Sequence, residues 1–196
     1  MAVEDKDILG LFDELLKEGS TINIGDIPNI DLYMDQVTTF MGSQLAGTRR
    51  HDEDKVLTKT MINNYTKNKV LPPPEKKKYS REHILVLLFI YYLKDFLSFD
   101  DIQKILSPVT ERFFHSDDSF DMQWLYSEIL RLESVQHALI REDLEGVRDL
   151  ADTAFADAPK KESEKLRTFA LIGMLSYDVY MKKKIIEKLI DRNEKQ

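Results

Sequence analysis

Ten consecutive apolar or aromatic residues, at positions 84–93, constrain this chain more than any other stretch. A helix built from them has no polar face to turn toward water, so the sequence predicts that it is buried on all sides. The run is too short to cross a bilayer, which takes roughly 20 apolar residues, and it lies between His83 and Lys94. We therefore expect the central helix of a water-excluding core.

Serine residues mark the starts of this helix and of the next one. Ser80 precedes the apolar run and Ser98 precedes a second helical pattern, and a serine at such a position accepts hydrogen bonds from the N–H groups of the first turn. Asp101 is expected to complete a capping box with Ser98. The sequence therefore predicts two consecutive helices joined by a turn near Phe96.

Composition places the chain among folded proteins of a reducing compartment. Its 196 residues, 42% of them hydrophobic, suffice for one large or two small helical domains. The absence of cysteine excludes disulfides, thiolate nucleophiles and thiolate metal sites. The first residues lack the features of a secretory signal, and no segment resembles a membrane anchor. We expect a cytoplasmic protein that does not contact membranes.

Charge is distributed unevenly along the chain. The formal net charge is −7, yet residues 58–83 carry seven cations against Glu75 and Glu82, so this segment is +5 and the remainder is −12. The cations are Lys59, Lys67, Lys69, Lys76, Lys77, Lys78 and Arg81. Such a segment attracts polyanions locally, whereas the acidic remainder opposes indiscriminate adhesion. The alternative is a basic loop that is merely solvated.

A helix followed by a stiff arm accounts for most of this basic segment. Residues 60–68 have helical spacing, with Met61, Ile62 and Tyr65 predicted to face inward. Leu71-Pro72-Pro73-Pro74 cannot continue a helix, so the chain is expected to leave as an extended arm that carries three lysines. The order is helix, basic arm, helix.

Four short segments in this region follow one another in a recognisable order. They are Ile62-Asn63-Asn64-Tyr65, Val70-Leu71-Pro72-Pro73-Pro74, Tyr79-Ser80-Arg81-Glu82 and Ser98-Phe99-Asp100-Asp101-Ile102. Together they resemble the winged-helix DNA-binding domain of the mercury-resistance regulator (MerR) class, where a recognition helix with a typical Ile-Arg-Tyr-Tyr leads through a wing into an apolar helix. The resemblance covers residues 58–106.

This resemblance implies an all-α helical bundle that contains a winged helix-turn-helix with a short basic wing, and it implies binding to double-stranded DNA. The chain departs from the class where Asn63 and Asn64 replace an arginine and a tyrosine, and where the wing is shortened to Glu75-Lys76-Lys77-Lys78. Asparagine amides can pair with adenine edges, whereas arm lysines follow phosphates. The candidate DNA-binding residues are Lys59, Thr60, Asn63, Asn64, Lys67, Lys76, Lys77 and Lys78.

A second resemblance rests on Leu32-Tyr33-Met34-Asp35-Gln36, Asn64-Tyr65-Thr66-Lys67 and Leu71-Pro72-Pro73-Pro74. These segments resemble a bacterial family described only as domain of unknown function 1836. The resemblance extends over most of the chain and implies no particular activity.

Helical patterns continue on both sides of the basic segment. Apolar spacing predicts a short helix that ends at Gly19 and a second helix, with apolar positions from Ile30 to Leu45, that stops at Gly47. Pro108 is expected to break the chain. A long helix with one buried stripe should follow, up to about Phe155.

The last predicted helix covers residues 166–181 and gives way to Lys182-Lys183-Lys184 and a charged tail. We expect residues 1–106 to form the DNA-binding domain with an N-terminal helical extension, and residues 107–196 to form a C-terminal helical region. That region is expected either to pack on its own bundle or to form a homodimer through its helices.

Motifs for catalysis or metal binding are weak. Asp117, Ser119, Asp121 and Glu128 imitate the spacing of a calcium loop, but Met122 occupies the position of the required glycine. The four histidines lie far apart, so capping or surface roles are expected for each of them. We therefore predict no enzyme, no cofactor and no metal site.

Three functions remain open from the sequence. The first is a DNA-binding transcriptional regulator of the MerR-like winged-helix type. The second is a non-enzymatic protein-interaction module on a winged-helix scaffold that no longer binds DNA, and the third is an enzyme without a recognised motif. Duplex binding measured against salt would separate the first two.

Overall fold

Helices dominate the computed structural model, which describes residues 7–19, 21–51 and 53–193. Helix accounts for 71% of the structure, and the described part holds seven α-helices and two strands of two residues each. The helices are α1 (Ile8–Glu18), α2 (Met34–Gln44), α3 (Lys59–Lys67), α4 (Arg81–Leu93), α5 (Phe99–Phe113), α6 (Met122–Thr153) and α7 (Ser163–Asn193). The strands are β1 (Leu32–Tyr33) and β2 (Lys78–Tyr79). The predicted all-α class is confirmed.

The central helix α4 is buried over six of the ten predicted positions, whereas Phe89 and residues 91–93 are only partly buried. Every side chain from residue 84 to residue 88 is buried, and so is Ile90. The next helix, α5, begins where its serine predicted, because the Ser98 hydroxyl accepts the backbone N–H of Asp101 at 3.1 Å. The apolar run and the Ser98 cap therefore predicted these two consecutive helices correctly.

Side chains from the neighbouring elements complete the core around α4. The buried ones from α2, α3 and α5 are Val37, Met41, Ile62, Tyr65, Ile102 and Leu106. The loop after α2 passes so close to the end of α1 that a Cβ on Gly47 would collide with the carbonyl oxygen of Glu18. A glycine is required at this approach, because no other residue leaves room for the backbone of α1.

Helix α2 begins later than its apolar spacing predicted. The predicted start at Ile30 is wrong, since that residue is 67% exposed and the helix begins at Met34. The backbone N–H of Tyr33 donates to the Gln36 side chain at 2.8 Å, which caps the helix at this point. Before the cap, Leu32 and Tyr33 pair with β2 instead of joining the helix.

Helix α5 continues through Pro108, so the predicted break there is wrong. Ile102, Leu106 and Thr110 follow one another at spacings of four and are all buried on the same face. Burial of this face extends past the proline, although a proline lacks the N–H that a helix interior uses. Packing therefore overrides the local signal to stop.

The chain forms two compact units. The core unit is Leu15–Leu132, and the C-terminal unit combines the described parts of Met1–Glu14 and Glu133–Gln196. The start of α6 belongs to the core unit. Met122 and Tyr126 are buried there, and the Tyr126 hydroxyl donates to the carbonyl of Ile22 at 2.8 Å.

Within the C-terminal unit, polar contacts connect its helices. The Arg141 guanidinium donates to Asp13 at 2.5 Å, and the Phe12 ring meets the His137 ring edge-on at 6.5 Å. Arg167 near the start of α7 forms an ion pair with Asp152 near the end of α6. All of these charged groups are partly exposed, so each pair contributes little to stability.

The long helices differ from their predicted burial. The predicted buried stripe of α6 is only partly correct, because Leu144 and Ala151 are buried whereas Leu132 is half exposed. The last helix does not fade at Lys182 but continues to Asn193, with Ile190 buried near its end. In the described ranges, no helix combines the length and apolar character needed to cross a membrane.

Candidate nucleic-acid interface

Helix α3 presents one polar face to solvent. Lys59, Thr60, Asn63, Asn64 and Lys67 are all exposed. At 100° per residue these five positions fall within one side of the helix. The sequence correctly separated this face from the buried positions Ile62 and Tyr65.

Buried contacts on the other side fix the orientation of α3. The Thr58 hydroxyl accepts the N–H of Met61 at 3.2 Å and caps the helix. The Tyr65 ring stacks on Phe99 of α5, with centroids 5.6 Å apart and planes 5° from parallel. Burial raises the pKa of Tyr65 above its usual value, and the charge of Asp95 acts in the same direction. The polar face is therefore held on a rigid support.

The predicted arm ends in a tight turn. The N–H of Lys78 donates to the carbonyl of Glu75 at 2.8 Å, and the two residues between them have φ angles of 49° and 67°. Positive φ at both central positions defines a type I′ turn, which normally favours asparagine and glycine. Here Lys76 and Lys77 occupy these positions and are exposed. The turn therefore presents two ammonium groups on a short, constrained loop.

Strand pairing brings this turn to the start of α2. β2 runs antiparallel to β1, with Leu32 opposite Tyr79 and Tyr33 opposite Lys78. The Lys78 ammonium lies over the ring of Tyr33, 5.4 Å from its centroid, which is a cation–π contact. Tyr33 remains half exposed beside it.

The start of α2 also contacts α3. Lys59 forms an ion pair with Asp35, two residues after Tyr33. The polar face of α3 and the basic turn therefore share one neighbour, the segment from Tyr33 to Asp35. All eight sequence-predicted residues belong to these two features, and each feature has one residue in contact with this segment.

The lysines of this surface differ in their local partners. Lys59 is paired with Asp35, although both side chains are largely exposed. Within the described ranges, no ion pair involves Lys67, Lys76 or Lys77. These three ammonium groups are consequently the ones that can meet an anion without leaving a partner.

One cation of the basic segment is used inside the protein. The Arg81 guanidinium donates to the carbonyl of Ile24, and its Nε is buried. Arg81 therefore connects the start of α4 to the segment between α1 and β1. The net charge of +5 for residues 58–83 includes Arg81, so it overstates the charge that is available to bind an anion at the surface.

A buried histidine supports the arm from beneath. The N–H of Ser80 donates to Nδ1 of His83 at 3.0 Å, so this nitrogen is unprotonated and Nε2 carries the hydrogen that points to the carbonyl of Pro73, 3.3 Å away. The rings of Tyr79 and Phe114 flank it edge-on. Burial lowers the pKa of His83 below 6.5, in keeping with a neutral ring. The predicted capping role is confirmed for this histidine.

Two residues of this surface were not among the predicted set. Tyr33 reaches it only because β1 pairs with β2, and no local pattern indicates a contact between positions 33 and 78. Lys69 follows α3 with a φ of 60° and is exposed. Its charge was included in the basic segment. Its left-handed conformation was not predicted, because the usual sequence signal for a positive φ is a glycine and this position is a lysine.

Other candidate sites carry less chemistry. Among the described residues, no group of three His, Asp or Glu side chains could hold a metal ion. Two acids in this region make local hydrogen bonds instead: Asp121, which belongs to the calcium-like spacing, accepts the N–H of Trp124 at 2.8 Å, and the neighbouring Asp118 accepts that of Phe120 at 2.7 Å. The latter hydrogen bond lowers the pKa of Asp118.

A polar pocket of about 270 Å³ lies on another part of the core unit, beside Tyr91 and Lys94. The Tyr91 hydroxyl is hydrogen-bonded to Thr48, and the Lys94 ammonium donates to Asp95 at 2.6 Å. Its main polar groups thus satisfy one another. This pocket presents no group poised for proton transfer or nucleophilic attack.

Comparison with known proteins gives one match. Residues 22–129 match the family model described as "Domain of unknown function (DUF1836)". This range includes both strands, α2 to α5 and the start of α6, and therefore the whole candidate surface. Neither a curated protein nor a solved structure matches the chain.

Proposed function

The chain belongs to the DUF1836 family, and we propose that its core unit binds double-stranded DNA as a transcriptional regulator of the MerR-like winged-helix type. The observation that carries this proposal is the meeting of an exposed amide-and-lysine helix face with a lysine turn at the start of α2. A helix face of this kind fits the major groove, and a constrained basic loop fits the adjacent backbone. The protein would act in the cytoplasm.

The two features have different roles in this proposal. The turn lysines contact phosphates, which fixes position without sequence information. Asn63 and Asn64 lie on the exposed face, and an asparagine amide can pair with N6 and N7 of adenine. Asn64 also has a helical role, since its carbonyl accepts the side-chain amide of Asn68 at 2.8 Å, but its own side chain remains exposed.

Duplex binding measured against salt tests the proposal directly. Each phosphate contact by a lysine releases condensed counterions, so the affinity should fall steeply and linearly on a double-logarithmic plot. Binding that is absent at low salt, or that does not respond to salt, would refute DNA binding through this surface.

Base recognition needs a separate test. After selection of a preferred duplex from a random library, Asn63→Ala or Asn64→Ala should weaken binding to that duplex by about 1 to 3 kcal/mol and leave random DNA nearly unaffected. Asn193→Ala, an exposed amide at the end of α7, is the matched control and should change neither. A library from which the intact protein enriches no sequence would contradict specific recognition.

The second candidate function is a protein-interaction module. It is favoured by the ion pair of Lys59 with Asp35, which lowers the exposed charge of the helix face, and by the many half-exposed apolar residues of α6 and α7. A protein that keeps its fold but shows no salt-dependent duplex binding would support this function instead.

A further inference from the structure

Helix α7 exposes an apolar face in the middle of its length. Phe169, Ile172, Tyr177 and Tyr180 are between 55% and 69% exposed, and Gly173 and Ser176 between them are exposed as well. The opposite face, with Ala170, Leu171, Met174 and Leu175, is half-buried. A helix that is apolar on both sides normally has a partner on both sides.

The exposed face has the same pattern when it is read in either direction. Outward from a centre between Met174 and Leu175, the residue types are small, large and aromatic on each side. The three matching pairs are Gly173 with Ser176, Ile172 with Tyr177, and Phe169 with Tyr180. A two-fold axis makes residue i contact residue j and residue j contact residue i, so matching residue types on the two sides of a centre suit such an axis.

The glycine at the centre has open space beside it in the described chain. A Cβ added to Gly173 would meet nothing within 4 Å. A glycine inside a helix costs about 1 kcal/mol relative to alanine, and here no close internal contact or positive φ requires it. Together with Ser176, it leaves a shallow depression where another helix can approach closely.

From this pattern we propose that α7 packs against α7 of a second copy of the chain, antiparallel, with the crossing point between Gly173 and Ser176. The aromatic ring of Phe169 then lies beside Tyr180 of the other copy at each end of the contact. The seam positions 169, 173, 176 and 180 are spaced by four, three and four, as in packed helix pairs. This proposal goes beyond DNA binding and does not depend on it.

Charge does not by itself set the direction. A parallel pair would place Lys182-Lys183-Lys184 of the two copies side by side, and an antiparallel pair would place Lys182 and Lys184 opposite Arg167 and Lys165 of the other copy. The direction therefore rests on the matching residue types on the two sides of the centre.

The exposed area is consistent with a stable contact. Each half-exposed aromatic side chain offers about 100 Å², and together with the neighbouring aliphatic groups one copy can bury roughly 500 Å². The total of about 1,000 Å² reaches the lower limit of specific interfaces. The contact should therefore be a dimer of moderate affinity.

Disulfide trapping distinguishes the two directions, because the chain has no cysteine of its own. In an antiparallel dimer, two copies of a Phe169→Cys variant hold their cysteines about 16 Å apart along the axis, too far for a disulfide. The same holds for Tyr180→Cys. A mixture of the two variants should give a covalent dimer under oxidation, while each variant alone should not. Covalent dimers from the single variants, with none favoured in the mixture, would overturn the antiparallel crossing.

Association of the full chain without DNA gives the second test. Sedimentation equilibrium should show a dimer, and Gly173→Leu should raise its dissociation constant at least about 100-fold, because both copies then carry a bulky group at the crossing. Circular dichroism should show unchanged helix content, since the added side chain meets open space in the monomer.

Gly146→Leu is the matched control, because Gly146 lies within α6 and is equally open. It should leave the dimer intact. A monomeric wild-type protein, or a dimer that Gly146→Leu dissociates and Gly173→Leu does not, would overturn the proposal. Neither result bears on duplex binding by the core unit, so the two proposals fail separately.

Discussion

At the scale of single residues, the turn from Glu75 to Lys78 combines charge with an unfavourable backbone. Lys76 and Lys77 adopt left-handed φ angles, which cost a residue with a Cβ roughly 1 kcal/mol each. Asparagine or glycine would form the same turn more easily. The lysines are consistent with a surface on which charge matters more than turn stability.

We expect Lys77→Gly to stabilise the fold by about 0.5 to 1 kcal/mol while weakening duplex binding. Glycine removes the strain of the left-handed conformation, and the lost ammonium removes a phosphate contact. Urea unfolding and duplex titration measure the two effects. Lys188→Gly, at an exposed position within α7, is the control and should lower the unfolding free energy by up to about 1 kcal/mol. A destabilised Lys77→Gly protein would show that the turn is not strained.

The contribution of His83 to the stability of the fold depends on pH. Burial lowers its pKa, and so does the nearby charge of His115; the hydrogen bond to the Pro73 carbonyl and the charges of Asp31 and Glu75 act in the opposite direction. Because the folded pKa lies below 6.5, the unfolded chain binds the proton more readily than the folded chain. The stability that neutral His83 contributes is complete above pH 6.5 and is lost as the pH falls through the folded pKa.

His83→Asn tests this linkage. An asparagine oxygen can still accept the N–H of Ser80 but does not titrate in this range. The unfolding free energy of the wild type should fall more steeply than that of His83→Asn as the pH drops below 6.5. The other three histidines are common to both proteins and serve as the internal control. Equal slopes would indicate that His83 is not the group that titrates.

At the scale of elements, the order of buried helices explains why residues 84–93 organise the chain. α4 contacts α5 and β2, and every side chain from residue 84 to residue 88 is buried, so neither side of this part of the helix faces water. The tertiary environment also maintains α5 through Pro108, where Leu106 and Thr110 are buried on each side. Burial of apolar side chains therefore explains both the central position of α4 and the continuation of α5 through Pro108.

Leu88→Asp should cost several kcal/mol and unfold the core unit, because the new carboxylate would be fully buried without a partner. Thermal unfolding followed by circular dichroism measures it. Leu139→Asp in α6 receives the same side chain at a half-exposed position and should melt close to the wild type. A Leu88→Asp protein with native melting would contradict the central position of α4.

At the scale of the whole molecule, local charge and net charge point in opposite directions. The chain is acidic overall, yet the five lysines of the predicted set belong to α3 and to the turn from Glu75 to Lys78, which both contact the start of α2. Attraction of a polyanion depends mainly on the nearest charges, because salt largely screens charges that are more than about 8 Å away. The acidic remainder then limits adhesion without preventing a local contact.

Two triple variants separate these effects. Replacing Lys76, Lys77 and Lys78 by alanine and, in a second protein, replacing Lys182, Lys183 and Lys184 by alanine change the formal net charge equally, from −7 to −10. The first variant should weaken binding to all duplexes and reduce the salt slope by roughly one unit per lost contact. The second should bind like the wild type. Equal losses in both would mean that only the net charge matters.

The sequence alone determined the elements whose signals are local. The apolar run of residues 84–93, the cap at Ser98 and the two faces of α3 follow from side chains within one or two helical turns, and these were predicted correctly. Local interactions need no closed tertiary structure, so their pattern is visible in a single sequence.

Only the tertiary structure decided what distant segments do together. It placed Tyr33 beneath Lys78, turned Arg81 inward to the carbonyl of Ile24, and carried α5 through Pro108. Each of these outcomes depends on burial or pairing between segments far apart in the chain, and such contacts form only when the gain from packing exceeds the cost of closing the loop between them. For that reason the sequence could name most residues of the candidate surface but could not predict how they contact one another.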